Sequence, residues 1–339
     1  MWMITLIVSS SPISFIMLFK SLISASAFLS AVSALETHGG IDFDARFSAD
    51  GEAITEQIKT FYENTASEQA ATRLYKRIAE QEYATQCLGD SPGTDPASFY
   101  AIKDCIVAEN PNAFFELLAE DIAEADAFWE KVVSESTKPR SEFVAARTWV
   151  RAYYDGALTA TEFAAWMASP QADSGYLPGN AEHYFKSTEN LSATTQRSHI
   201  FEGWGGVLSS FGSKLCNFTV PDFAPREFGT DEYPAEWAID GFGLLQRLGP
   251  KTLNSGTIWG VLHIGVRDFT AEEGTTGKSG IEVFGAVYYP PWDLSTEENR
   301  AEYALFLKDE DYQIVSEVVN FSLQALEDCA SGACVIPGV

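Results

Sequence analysis

The chain has 339 residues, of which 46% are hydrophobic, 21% charged and 13% aromatic, enough apolar material for a full core without a metal or a dense disulfide network. Its 22 Lys and Arg stand against 48 Asp and Glu, a net charge of −26. That balance excludes sequence-independent nucleic-acid binding, which needs clustered cations, and docking on anionic membranes.

Residues 1–34 are apolar and carry one charge, Lys20. Counted from Met17, a cation precedes an apolar stretch and then Val32-Ser33-Ala34, the order of a secretory signal. The expectation is Met17 as initiator, cleavage after Ala34, and a secreted product with no membrane attachment. The stretch after Lys20 is too short and Ser-rich to span a bilayer comfortably.

In an oxidising compartment cysteines pair by default. Among the five, Cys87 with Cys105 and Cys329 with Cys334 are the preferred bridges, which leaves Cys216 free and buried in a strand. Three triplets are candidate N-glycan acceptors, at Asn190, Asn217 and Asn320. Asn190 lies in a polar stretch and is the best placed. Asn320 falls in a packed helix and is the worst.

Residues 45–168 read as a helical half. Ile54, Ile58, Phe61 and Tyr62 keep helical spacing, as do Leu74 and Ile78. Asp95-Pro96 and Asn110-Pro111 each place an N-cap before a proline. The helix after Pro111 carries Phe114, Leu118, Ile122, Ala125 and Trp129 on one face. A further helix is expected over 141–155, and Thr159 with Glu162 opens a short one to 168 as a capping box. Residues 169–195, punctuated by Pro, Gly, Ser and Asn, read as a linker with His183 on its surface.

Residues 196–329 read as α+β, followed by a tail over 330–339. Strands are expected over 196–209, 214–220, 257–269 and 281–289. Helices are expected from Pro234 to Leu248, from Ser295 with Glu298, and over 312–329. The fold class is therefore α+β, a helical half followed by an antiparallel sheet of at least four strands, with its strong hairpin at 257–289, covered by helices.

Side chains alternate along strands, so the hairpin sorts into two faces. Ile258, Leu262, Ile264, Val266, Val283 and Val287 share the aliphatic one. A symmetric loop sets Arg267 opposite Glu282, Gly265 opposite Phe284 and His263 opposite Ala286. The other face then gathers Trp259, His263, Arg267, Glu282, Phe284 and Tyr288. An aromatic floor with a few polar groups has the makings of a small-molecule site. His263 is the candidate acid–base, Arg267 a holder of a carboxylate or enolate oxygen, Tyr288 a proton donor and Glu282 a charge partner. The strand before it offers His199, Glu202 and Trp204 as further ligand contacts, with Glu202 and Trp204 on the face opposite His199.

No nucleophile elbow, no zinc-binding helix motif, no phosphate loop and no dinucleotide fingerprint occurs, so neither a metal nor a cofactor is expected. Two functions follow. One is a secreted glycoprotein that binds a small lipophilic or aromatic metabolite and converts it by cofactor-free acid–base chemistry of the cyclase, isomerase or lyase type. The alternative is a non-catalytic secreted protein whose acidic helical surface contacts a protein partner.

Overall fold

Among the described residues, nine antiparallel strands form one sheet. They are β1 (Leu35–His38), β2 (Ile41–Arg46), β3 (Val144–Tyr153), β4 (His183–Asn190), β5 (Gln196–Trp204), β6 (Lys214–Phe223), β7 (Gln246–Leu253), β8 (Ile258–Phe269) and β9 (Gly280–Tyr289). Their spatial order is β1-β2-β3-β9-β8-β7-β6-β5-β4. The structure, a computed structural model, describes residues 35–47, 52–136, 138–291 and 295–332. The expected leader with its Met17 start, the cut after Ala34, and Cys334 lie outside the described residues.

The helices are α1 (Glu56–Ile78), α2 (Glu82–Thr85), α3 (Pro96–Glu109), α4 (Ala113–Leu117), α5 (Ala119–Glu135), α6 (Ala160–Met167), α7 (Pro170–Ser174), α8 (Tyr176–Gly179) and α9 (Glu297–Ala330). Their starts follow local chemistry. Asp95 accepts from the Ser98 amide ahead of Pro96, and Thr159 and Glu162 complete the capping box. Cys87 and Cys105 are bonded, tying the chain after α2 to α3. A loop of this size is stabilised by about 3 kcal/mol when closed. Cys329 is also disulfide-bonded, and Cys216 is free and buried. Among the described residues no helix is long and apolar enough to cross a membrane.

The α+β class stands, but the sheet draws on both halves of the chain. The segment expected as a helix over 141–155 is β3, inserted between β2 and β9. Ala146, Thr148, Val150 and Ala152 are buried on one face, while Arg147, Trp149 and Arg151 take the other. Backbone partners on both sides override a local helical reading. A boundary between a helical half and a sheet half is therefore corrected: the described residues belong to one compact unit. The expected linker 169–195 holds α7, α8 and β4. The expected helix from Pro234 is replaced by two short turns and β7, because Gly241 and Gly243 adopt positive φ, 87° and 53°, and interrupt any helix there. The two expected C-terminal helices are one, α9, since no Gly or Pro interrupts residues 297–330.

One sheet face packs against α5, α6 and α9 in the main core, and α1 lies against α9. The helix α9 crosses β9 at Gly285, where an added Cβ would come within 2.6 Å of Ile314 Cγ2. The other face is roofed over its middle by the irregular segment 224–245, whose Tyr233, Trp237 and Phe242 cover Trp149, Phe284 and Tyr288.

Candidate functional site

The hairpin register is the expected one: Arg267 pairs with Glu282, Gly265 with Phe284 and His263 with Ala286. The structure brings His263, Phe284 and Tyr288 together, but under a roof. Trp237 stacks on Tyr288 at 3.8 Å, and a Cβ on Gly265 would meet Phe242 at 2.9 Å. The space above Gly265 and Ala286 is therefore filled. His263 is fully buried, with Nδ1 3.2 Å from the Tyr288 hydroxyl and Nε2 without a partner. Burial pushes the imidazole down to about 3, so it is neutral at physiological pH. Burial also raises the Tyr288 phenol.

Arg267 and Glu282 are engaged with each other and with neighbours. Glu282 accepts from Arg267 Nε at 2.6 Å and from Arg151 Nε at 2.7 Å, and Arg267 reaches Glu273 at 2.9 Å. This is a cross-strand charge network on the sheet. Trp259 corrects the two-face reading. Lys251 pairs with Gly260 and Thr252 with Ile258, so Trp259 is the extra residue of a bulge. It turns to the helix-covered face and stacks on Trp204 at 4.8 Å and on Trp129 at 4.8 Å. His199 lies on the face opposite Glu202, bonded to Asn217 at 2.5 Å and packed on Phe115. Of the glycan candidates, Asn190 is exposed, Asn217 is occupied by His199, and Asn320 donates to the Gly179 carbonyl.

Room for a ligand lies on the helix-covered face instead. A cavity of about 150 Å³ runs between β5–β9 and the helices α6 and α9. Its walls include Phe163, Phe218, Leu262, Ile264, Val283 and Val318. Leu262 and Ile264 are only half-buried although helices cover their face, because they border this space. A volume of this order accommodates a single aromatic ring.

Polar groups converge at one end. Lys251, 1% exposed, sits 4.5–4.7 Å from the ring centroids of Phe218, Trp259 and Trp204, an aromatic cage for its ammonium. It donates to Glu202 Oε1 at 3.0 Å. Tyr176 donates to the other Glu202 oxygen. Burial opposes the Glu202 charge, but Lys251, then His183 and Tyr176, outweigh it and hold the carboxyl below its ordinary value. His183, expected on a linker surface, is fully buried and stacks on Tyr176 at 3.8 Å. Its Nδ1 lies 2.8 Å from the Tyr176 carbonyl and its Nε2 2.8 Å from Glu317. Both ring nitrogens therefore face oxygen atoms, and the Tyr176 carbonyl accepts from Nδ1.

Glu310 completes the cluster from α9. It is 4% exposed, and its Oε2 has no hydrogen-bond partner. Burial pushes its carboxyl up to about 8. Lys103 fixes the backbone that carries Tyr176 and His183: it is fully buried and donates to the carbonyls of Leu177, Asn180, Ala181 and His183 at 2.8–3.1 Å. The cavity lining also includes Lys186, paired with Asp173 at 2.5 Å, and Arg247. Burial disfavours the Arg247 charge and no neighbouring group offsets it.

Among the described residues no group of three His, Cys, Asp or Glu side chains is arranged to hold a metal ion. The arrangement pairs an ionised carboxylate, Glu202, with a neutral carboxylic acid, Glu310. Two such groups with separated proton affinities are the elements of proton abstraction and return.

Sequence reasoning found Glu202 and Trp204 but missed Tyr176, His183, Arg247, Lys251, Glu310 and Glu317. One signal was available. Glu310, Ile314, Glu317, Val318 and Phe321 share a helical stripe, so two acids interrupt an apolar face. Lys251 carried no such mark, because its place depends on the bulge at Trp259. The sequence matches no protein-family model and no curated protein.

Proposed function

We propose that this is a secreted protein that binds a small, largely apolar molecule in the cavity between β5–β9 and α9, and moves a proton on it without a cofactor. Glu202 takes a proton from the bound molecule and Glu310 supplies one, so an isomerisation, elimination or cyclisation proceeds with no change of oxidation state in the protein. The observation that carries this reading is the buried Glu310 carboxyl, whose Oε2 has no hydrogen-bond partner, beside the Lys251–Glu202 pair in a largely apolar cavity. The Cys87–Cys105 bridge and the signal-like order of residues 17–34 support export, and exposed Asn190 supports glycosylation.

Fluorine NMR with para-fluorobenzyl alcohol, a neutral ring-sized probe, tests the cavity. The wild-type protein is expected to shift or broaden the probe signal, and Leu262→Trp, which fills the space, to abolish the effect while keeping a cooperative melt. A probe signal untouched by the wild type would overturn the reading.

A further inference from the structure

The charged groups around the cavity pair off one by one. Glu202 is matched by Lys251, Glu317 by His183, and Lys186 by Asp173. Glu310 holds its proton through neutral pH because burial disfavours its charge. Arg247 is left over: it lines the cavity yet makes no hydrogen bond or ion pair among the described residues. In a chain with 48 acidic side chains, a half-buried guanidinium without a carboxylate partner is conspicuous. A guanidinium takes a carboxylate in a two-pronged grip, and leaving it unmatched in a partly dry site is costly.

We infer that the ligand is a small organic monoanion, an apolar or aromatic carboxylic acid in its ionised form, whose carboxylate is held by Arg247. This rests on the cavity reading above and specifies its occupant. Arg247 and Lys251 lie four residues apart on the same face of β7, so their backbones are separated by roughly 13 Å. The carboxylate therefore binds at the end remote from Glu202 and Glu310. The apolar body lies along Leu262, Ile264 and Val318, and the atom that exchanges a proton sits several bonds from the carboxylate.

Titrating the whole protein with fluorophenylpropanoate and with its neutral amide, by fluorine NMR at low salt, tests the inference. The carboxylate is expected to bind about ten- to hundredfold tighter, the range for a hydrogen bond to a charged group. The preference is expected to fall to near one in Arg247→Met and to be partly kept in Arg247→Lys. Circular dichroism and the melting temperature check that each variant folds. Equal binding of the two probes by wild type, or tighter binding of the amide, would overturn the inference while leaving the cavity reading in place. A preference that survives in Arg247→Met would also overturn it. If neither probe binds and para-fluorobenzyl alcohol is silent too, the cavity reading fails and the inference with it.

Discussion

Lys251 donates to Glu202 over 3.0 Å across the intervening strand, β6, inside a cage of three aromatic rings. Lys251 is buried and Glu202 is mostly so, so little water screens either charge. Replacing Lys251 by Met leaves the Glu202 carboxylate buried without its cation, which costs about 3–5 kcal/mol. Adding Glu202→Gln is expected to recover a large part of that loss. Urea denaturation of the single and double variants measures both.

Glu310 links the site to pH. Its folded-state value of about 8 lies above the ordinary carboxyl value, so between roughly pH 4.5 and 8 the native state holds a proton that the unfolded chain has released. Stability falls as pH rises through that window. Glu310→Gln removes the dependence, so the variant gains on the wild type by on the order of a few kcal/mol from pH 5 to pH 8. Denaturation at both pH values reads the difference, and equal slopes would contradict it.

His263 works in the opposite direction. Its folded value, about 3, lies below the ordinary imidazole value near 6.5, so the unfolded chain binds the extra proton between these limits. The stability present above about pH 6.5 is lost as pH falls toward 3. His263→Phe is expected to flatten the acid limb of the stability curve by a few kcal/mol relative to wild type. Thermal melts from pH 7 to pH 4 compare the two proteins.

Glu202→Gln and Glu310→Gln separate binding from chemistry. Both are expected to bind para-fluorobenzyl alcohol within about twofold of wild type, since the apolar walls are untouched. Native mass spectrometry of protein from its own producing culture identifies any retained molecule, whose conversion both variants are expected to lose. Full conversion by either variant would remove that residue from the proton transfer.

Gly285 sets the approach of α9 to the sheet. A Cβ there would stand 2.6 Å from Ile314, so Gly285→Ala is expected to cost about 1–3 kcal/mol, and Ile314→Val in the same chain to return part of it. A double-mutant cycle in urea gives the coupling.

The α+β class, the hairpin at residues 257–289 with its register, the Cys87–Cys105 bridge and the buried free Cys216 were legible in the sequence. Each rests on a short-range rule: period-two alternation, a symmetric loop, capping chemistry or cysteine spacing. Residues 144–153 were misread because their strand character comes from β2 and β9, distant segments that local propensity does not contain. The site depended on three tertiary events. The segment 224–245 closed over His263 and filled the expected face, and the bulge at Trp259 moved that ring to the opposite face beside Lys251. The helix α9 then laid Glu310 and Glu317 over strands more than twenty residues upstream. Alternation names the two faces of a strand, but which face keeps open space is decided by what packs on each, and that is a property of the whole fold.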